Sequence, residues 1–238
     1  MAATGLARAL SKLGYCSRSQ AVAHIRAGRV TLNGRVCRDP EKPVHLGKDA
    51  VAIAGAPVEP VVKVYLMLNK PRGLVTTASD EQGRATVYEC LQGAPAAHLA
   101  PVGRLDKASE GLLLFTNDNT WANRITDPVT HIDKTYHVQV SCLLDEALLE
   151  RLRKGVSQDE GTLRAKHIQV LRSGQKNTWL EIVLDEGRNR HIRRLLEALE
   201  IEVLRLVRVA IGPLQLGDLA KGQWRHLTQV EVVRCRGK

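Results

Sequence analysis

Asp106 is the carboxylate whose neighbours best suit it for chemistry. It stands between Gly103 and Gly111, with cations at Arg104 and Lys107. Nearby positive charge favours the ionised form of a carboxylate. Leu112 to Phe115 follows as an apolar run of the length of a buried strand. Loops anchored by such strands commonly carry catalytic groups. The same features also describe an ordinary turn aspartate beside a strand. Tyr136 lies in the alternating run Lys134–Val140, which reads as a half-buried strand. There it is equally a cross-strand aromatic. A third polar cluster runs from Asp185 to Arg194. Asn189 is expected to cap a helix whose apolar face is Ile192, Leu195, Leu196 and Leu199. At about 100° per residue, Arg193 falls on the flank of that face and Arg190 and Arg194 point away. Arg193 is thus expected to be half buried, and the other two suit phosphate. His191 reads as neither general base nor metal ligand.

The elements that must position these residues are legible on either side. Leu6, Leu10 and Leu13 have helical spacing, and Gly14 stops that helix. Ser17 and Gln20 form a capping-box pattern ahead of Ala21, Val22 and Ile25, with Gly28 at the far end. Asn33-Gly34 between Val30–Leu32 and Arg35-Val36 predicts a hairpin. Ala54–Pro60 reads as a linker, and Val61–Leu68 and Leu74–Thr77 as strands around the basic turn Asn69–Gly73. In that turn Lys70 and Arg72 either touch a polyanion or face water. Thr120–Thr126 and Leu143–Val156 read as helices. Thr162–Val170, Thr178–Leu184 and Val203–Ile211 read as strands. Gly222–Arg225 and a last apolar run, Val230–Val233, complete the domain.

The chain of 238 residues carries a net charge of +10, which favours a polyanionic partner. Residues 1–55 hold nine Lys+Arg against three Asp+Glu, a net of +6, so over half the excess lies in the first quarter. Arg18, Arg26, Arg29 and Arg35 decorate that segment. No apolar run approaches the roughly 18 residues of a membrane span. Met1–Leu13 lacks the continuous apolar segment of a secretory signal. The five cysteines include no Cys-x-x-Cys pair, so neither a zinc site nor a disulfide framework is indicated, and a reducing cytoplasm is expected. No P-loop or strand-borne Gly-x-Gly-x-x-Gly is present.

Gly103-Arg104-Leu105-Asp106, with Ser109–Leu114 and Thr116-Asn117-Asp118, resembles the central motif of RNA pseudouridine synthases, most closely the RsuA/RluB-like ribosomal RNA family. Lys134-x-Tyr136-x-Val138 and Gly187–Arg194 resemble its second and third motifs. His191 stands where glutamine is usual, which would make that contact pH-sensitive. The Leu6–Val58 stretch, with Gly28-Arg29-Val30-Thr31-Leu32-Asn33-Gly34, resembles an S4 RNA-binding domain. The resemblance implies an α+β chain. A small S4-like domain over 1–58 precedes a catalytic domain over 59–238, built on a mixed, mainly antiparallel sheet with flanking helices.

It further implies isomerisation of a uridine in ribosomal RNA to pseudouridine. Asp106 would be the catalytic carboxylate, either a nucleophile at C1′ or a base at C2′. Arg193 would pair with it and Tyr136 would stack on the base. Arg104 would fill the space the flipped nucleotide leaves. Arg18, Arg26, Arg29, Arg35, Lys70, Arg72, Arg188, Arg190 and Arg194 complete the expected RNA-binding set. No cofactor or metal is required, because nothing is oxidised or lost. The expected partner is ribosomal RNA or a pre-ribosomal particle, with no membrane, and the chain is expected to act as a monomer. The alternative is a non-catalytic ribosome-assembly factor using the same RNA surface. Small- and large-subunit targets both fit.

Overall fold

A computed structural model describes residues 3–59, 61–95, 98–158 and 161–235. The chain forms two compact units. One comprises Met1–Tyr65, Ala94–Ala100 and Thr116–Ala122, the other Leu66–Gly93, Pro101–Phe115 and Asn123–Lys238.

In the first unit, helices Leu6–Lys12 and Arg18–Arg26 pack beside a four-stranded sheet. The sheet order is Arg35-Val36, Val30–Leu32, Val51–Ile53, Ala56-Pro57. The expected capping box forms: Ser17 Oγ accepts from Gln20 N at 3.1 Å, and Gln20 Oε1 accepts from Ser17 N at 3.0 Å. The hairpin turns at Asn33 (φ 50°) and Gly34 (φ 80°), the left-handed pair that a two-residue turn between twisted strands needs. Leu6, Leu10, Ile25, Val30 and Val44 are completely buried and close the core. Each such side chain contributes roughly 1.5–3 kcal/mol of burial. Thr116 and Asn117, part of the central motif, are spent on architecture in this unit. Thr116 Oγ1 donates to Val64 O at 2.6 Å, while the Asn117 amide bonds Val64 N at 2.9 Å and Val62 O at 2.8 Å. The expected linker differs, since Ala56-Pro57 is an edge strand; Pro60 lies outside the described residues.

The second unit is organised by a mixed sheet. Its main path runs His167–Ser173, Thr178–Leu184, Lys134–Val140, Val203–Ile211, Glu110–Thr116, Tyr65–Lys70, Trp224–His226. Lys134–Val140 is paired antiparallel on both sides. Glu110–Thr116 runs parallel to Val203–Ile211, with Gly111 opposite Arg208. Thr178–Leu184 buries every second residue, and Leu180 and Ile182 meet Val138, Leu149, Leu152, Leu195 and Leu196 in one core. That core seats the helices Glu146–Lys154 and His191–Glu197 on the sheet. Among the described residues no helix is long and apolar enough to cross a membrane.

Several expected boundaries move. The first strand of the sheet is Tyr65–Lys70. Leu74–Thr77 makes only a single bridge, Val75 to Thr86. Thr162–Val170 divides into Gly161–Leu163 and His167–Ser173. The Val230–Val233 run is helical, within Gln229–Arg234. Thr228 and Glu231 form a capping box, a local signal stronger than the β-propensity of valine.

Candidate active site

The loop after Val102 is fixed from beneath by Lys70. This lysine is completely buried, and its ammonium donates to the carbonyls of Pro71 (3.1 Å), Asp106 (3.2 Å) and Ser109 (2.9 Å). Burial pushes its pKa down to about 8, against the opposing pull of Asp106 and Glu110. The expectation that Lys70 touches RNA is therefore corrected: the turn carrying it ends a sheet strand, and its side chain points into the protein. Thr76 clamps the same loop, donating to Leu105 O at 2.7 Å and accepting from Leu105 N at 3.3 Å. Held this way, Asp106 presents a carboxylate that is 41% exposed.

That carboxylate faces a cavity of about 330 Å³. Tyr136, Arg193, Arg104, Arg188 and Arg190 line the same cavity. Tyr136 comes from the centre of its strand, opposite Ile182 on one side and Arg208 on the other. Arg193 comes from the helix flank and is partly buried, as its spacing predicts. The sequence thus brings three distant segments to one place.

The guanidinium within ion-pair distance of Asp106 is, however, that of Arg190, with Nη1 4.0 Å from Oδ2. Arg193 Nη2 instead donates to Ala108 O at 3.2 Å. Burial, then the charge of Arg190, disfavours the protonated form of Arg193, and Asp106 opposes them. Arg190 itself is the helix N-cap, in a left-handed conformation (φ 48°, ψ 32°) with no side-chain capping bond. The expected cap, Asn189, is exposed on the rim. The left-handed backbone at Arg190 is a feature that helical spacing cannot reveal.

Other expected contacts separate by environment. Arg188 is tied to Glu186 at 3.0 Å and to Thr162 O at 3.2 Å. Arg194 is held by Gln158 Oε1 at 3.0 and 2.5 Å. Arg72 is exposed, as are Arg18, Arg26, Arg29 and Arg35 in the first unit. His191 is buried, 3.4 Å from Glu186. Burial pushes its pKa down, and Glu186 works the other way. Lys134 and Arg208 also line the cavity and were not singled out from sequence. The signal was present, since Arg208 shares the inward phase of Leu206 in a strand whose only other charged residue is Arg205. Among the described residues no group of three or more His, Cys, Asp or Glu side chains could hold a metal ion.

Comparison with known proteins places this geometry. Residues 64–198 match the RNA pseudouridylate synthase family, and residues 4–50 match the S4 domain. The chain is 40% identical over 226 residues to an Aquifex aeolicus protein named "Uncharacterized RNA pseudouridine synthase", covering 94% of this chain and 90% of that protein. It is 36% identical over 233 residues to a Bacillus subtilis protein named "Ribosomal large subunit pseudouridine synthase B", covering 97% and 95%. A pseudouridylate synthase crystal structure superposes with a TM-score of 0.67 at 29% identity, covering 98% of this chain and 99% of that one. With the family model matching more than half of the chain and a relative 40% identical over nearly its whole length, the chain belongs to the RNA pseudouridylate synthase family.

Proposed function

We propose that this synthase isomerises a uridine of large-subunit ribosomal RNA, with Asp106 as its catalytic carboxylate. The observation that carries the reading is the convergence of Asp106, Tyr136 and Arg193 on one cavity of about 330 Å³ from three separate segments. The large-subunit assignment is supported by the curated relatives of that name, at 34–36% identity. The cavity suits one nucleotide taken out of its stack, at an unstacking cost of a few kcal/mol.

Asp106 acts on the ribose, at C1′ or at the 2′ position, and breakage of the C1′–N1 bond frees the base. Tyr136 stacks on that base; such contacts are worth about 1–3 kcal/mol. Arg193, bonded to the Ala108 carbonyl two residues from Asp106, positions the catalytic loop. Arg104 on the rim occupies the gap left in the RNA. The exposed arginines of the S4 unit, Arg18, Arg26, Arg29 and Arg35, hold phosphates.

Mapping pseudouridines in ribosomal RNA from cells with and without the gene identifies the target. One large-subunit pseudouridine is expected to vanish. Asp106→Asn is expected to fold, bind the RNA and release no tritium from C5-labelled uridine. Normal release by the folded Asn variant defeats the catalytic assignment; loss of a small-subunit pseudouridine alone defeats the target assignment.

A further inference from the structure

Arg208 is an arginine in the floor of a cavity, 5% exposed, with a donor it does not use. Its Nε donates to Leu112 O at 2.8 Å, while its Nη2 is buried without a hydrogen-bond partner. A buried charge that leaves a donor unpaired is costly. Of the other cavity arginines, Arg188 is paired with Glu186 and Arg190 faces Asp106, while Arg193, which donates to the Ala108 carbonyl, likewise keeps a buried Nε without a partner.

The sheet is built to put Arg208 there. Between Thr135 and Tyr136 the register with Val203–Ile211 shifts, so that Thr135 faces Ala210 but Tyr136 faces Arg208. Val209 is the extra residue. Bulges of this kind re-aim a side chain and recur beside active sites. Without the shift, Tyr136 would face Val209 and the arginine would leave Tyr136's side of the sheet. On the other edge, Arg208 lies opposite Gly111, where any Cβ would collide with the Arg208 carbonyl. That contact is with the backbone of position 208 and fixes the strand spacing, while the bulge sets the direction of the side chain. Lys134, on the same face as Tyr136 and two residues before it, lines the same cavity.

We infer that Arg208 is a substrate-contacting residue of the isomerisation, its guanidinium donating to a carbonyl oxygen of the uracil once the base has been detached. The inference rests on the reading of this cavity as the site of the target nucleotide. When the C1′–N1 bond breaks, its electron pair stays on N1 and spreads to O2 and O4. The base is then an anion until C5 bonds to C1′; the C5 proton is lost afterwards and N1 takes up a proton, which leaves the isomerised ring neutral. A cation already fixed in a site shielded from water stabilises such charge as it develops, with no reorganisation. Arg208 neither gives nor takes a proton in this step.

The test uses the 238-residue chain and a large-subunit RNA fragment containing the mapped uridine, unmodified or carrying 2-thio- or 4-thiouridine at that position. Sulfur accepts hydrogen bonds weakly. Wild-type single-turnover rate is expected to fall with one of the two thio substitutions. Arg208→Met is expected to bind the RNA normally, to turn over about 100-fold more slowly or worse, and to be indifferent to that same substitution. Arg208→Lys, which keeps the charge without the planar fork, is expected to fall between. Equal rates of wild type on all three RNAs overturn the inference without any variant having to fold. So does an Arg208→Met rate within about twofold of wild type, or an undiminished thio effect in Arg208→Met or, should that not fold, in Arg208→Lys. Asp106→Asn run alongside separates the two ideas. An inactive Asn variant beside a fully active Met variant removes only the role of Arg208, whereas an active Asn variant removes the reading of the site itself.

Discussion

Asp106 is flanked in sequence by Arg104 and Lys107, but the cation that meets it in space is Arg190, at 4.0 Å. Arg190 reaches it from a left-handed backbone that a residue with a Cβ adopts at a cost of about 1 kcal/mol. Glycine relieves that cost and alanine does not. Arg190→Gly is thus expected to be about 1 kcal/mol more stable than Arg190→Ala in urea unfolding, while both lose RNA turnover to a similar degree. Equal stabilities would show that the conformation is unstrained. Lys70 makes the opposite case, a cation used wholly for architecture. Lys70→Met strips a donor from three carbonyls and is expected to cost about 3 kcal/mol. The wild-type lysine has a pKa of about 8 in the fold, below the 10.5 of an open chain. Between those values the unfolded chain binds more protons, so stability rises with pH there and falls again as pH drops through about 8. Urea titrations from pH 7 to 10 are expected to show wild type gaining stability relative to Lys70→Met only above about pH 8.

At the scale of elements, the site depends on how closely two parallel strands approach. Gly111 has φ +100° and faces the Arg208 backbone, where a methyl group has no room. Gly111→Ala adds both strain and overpacking and is expected to cost about 2–4 kcal/mol in thermal or urea unfolding. Its turnover is expected to fall further than its stability predicts, because the same contact sets the depth of Arg208 and leads into the Asp106 loop. Retention of wild-type stability would mean the strands separate freely. The helix His191–Glu197 is held differently, by Ile192, Leu195 and Leu196 in the sheet's core rather than by a cap. Its apolar spacing therefore outweighed the missing Asn189 cap.

For the whole molecule, charge is divided by task. The first unit exposes Arg18, Arg26, Arg29 and Arg35, while the cavity arginines are mostly engaged by neighbours. Replacing those four by glutamine in the full chain is expected to weaken RNA binding and flatten its salt dependence by about three units of log Kd per log salt. The single-turnover rate at saturating enzyme is expected to change little. An unchanged salt slope would exclude these residues as phosphate contacts. Truncation is a poorer test, because residues 116–122 belong to the same compact unit and Asn119 bonds Ser11 there at 2.9 Å.

The sequence alone determined whatever is repeated locally. Helical spacing, the Ser17–Gln20 capping box, the Asn33-Gly34 turn and the strand Thr178–Leu184 are each fixed by neighbours a few residues apart, and each formed as read. The strings around Asp106, Tyr136 and Arg193 were legible through their resemblance to a family's motifs, while local spacing left Asp106 and Tyr136 open to an ordinary structural role. Only the tertiary structure decided what each cation does. Lys70 and Arg72 sit two residues apart in one basic turn, yet one is completely buried and the other exposed. Arg190, not Arg193, lies within ion-pair distance of Asp106, and it does so from a left-handed backbone. The place of Arg208 beneath Tyr136 depends on a one-residue bulge between strands about seventy residues apart. Burial, dihedral and register are properties of the assembled sheet and its loops, and no window of the chain contains them.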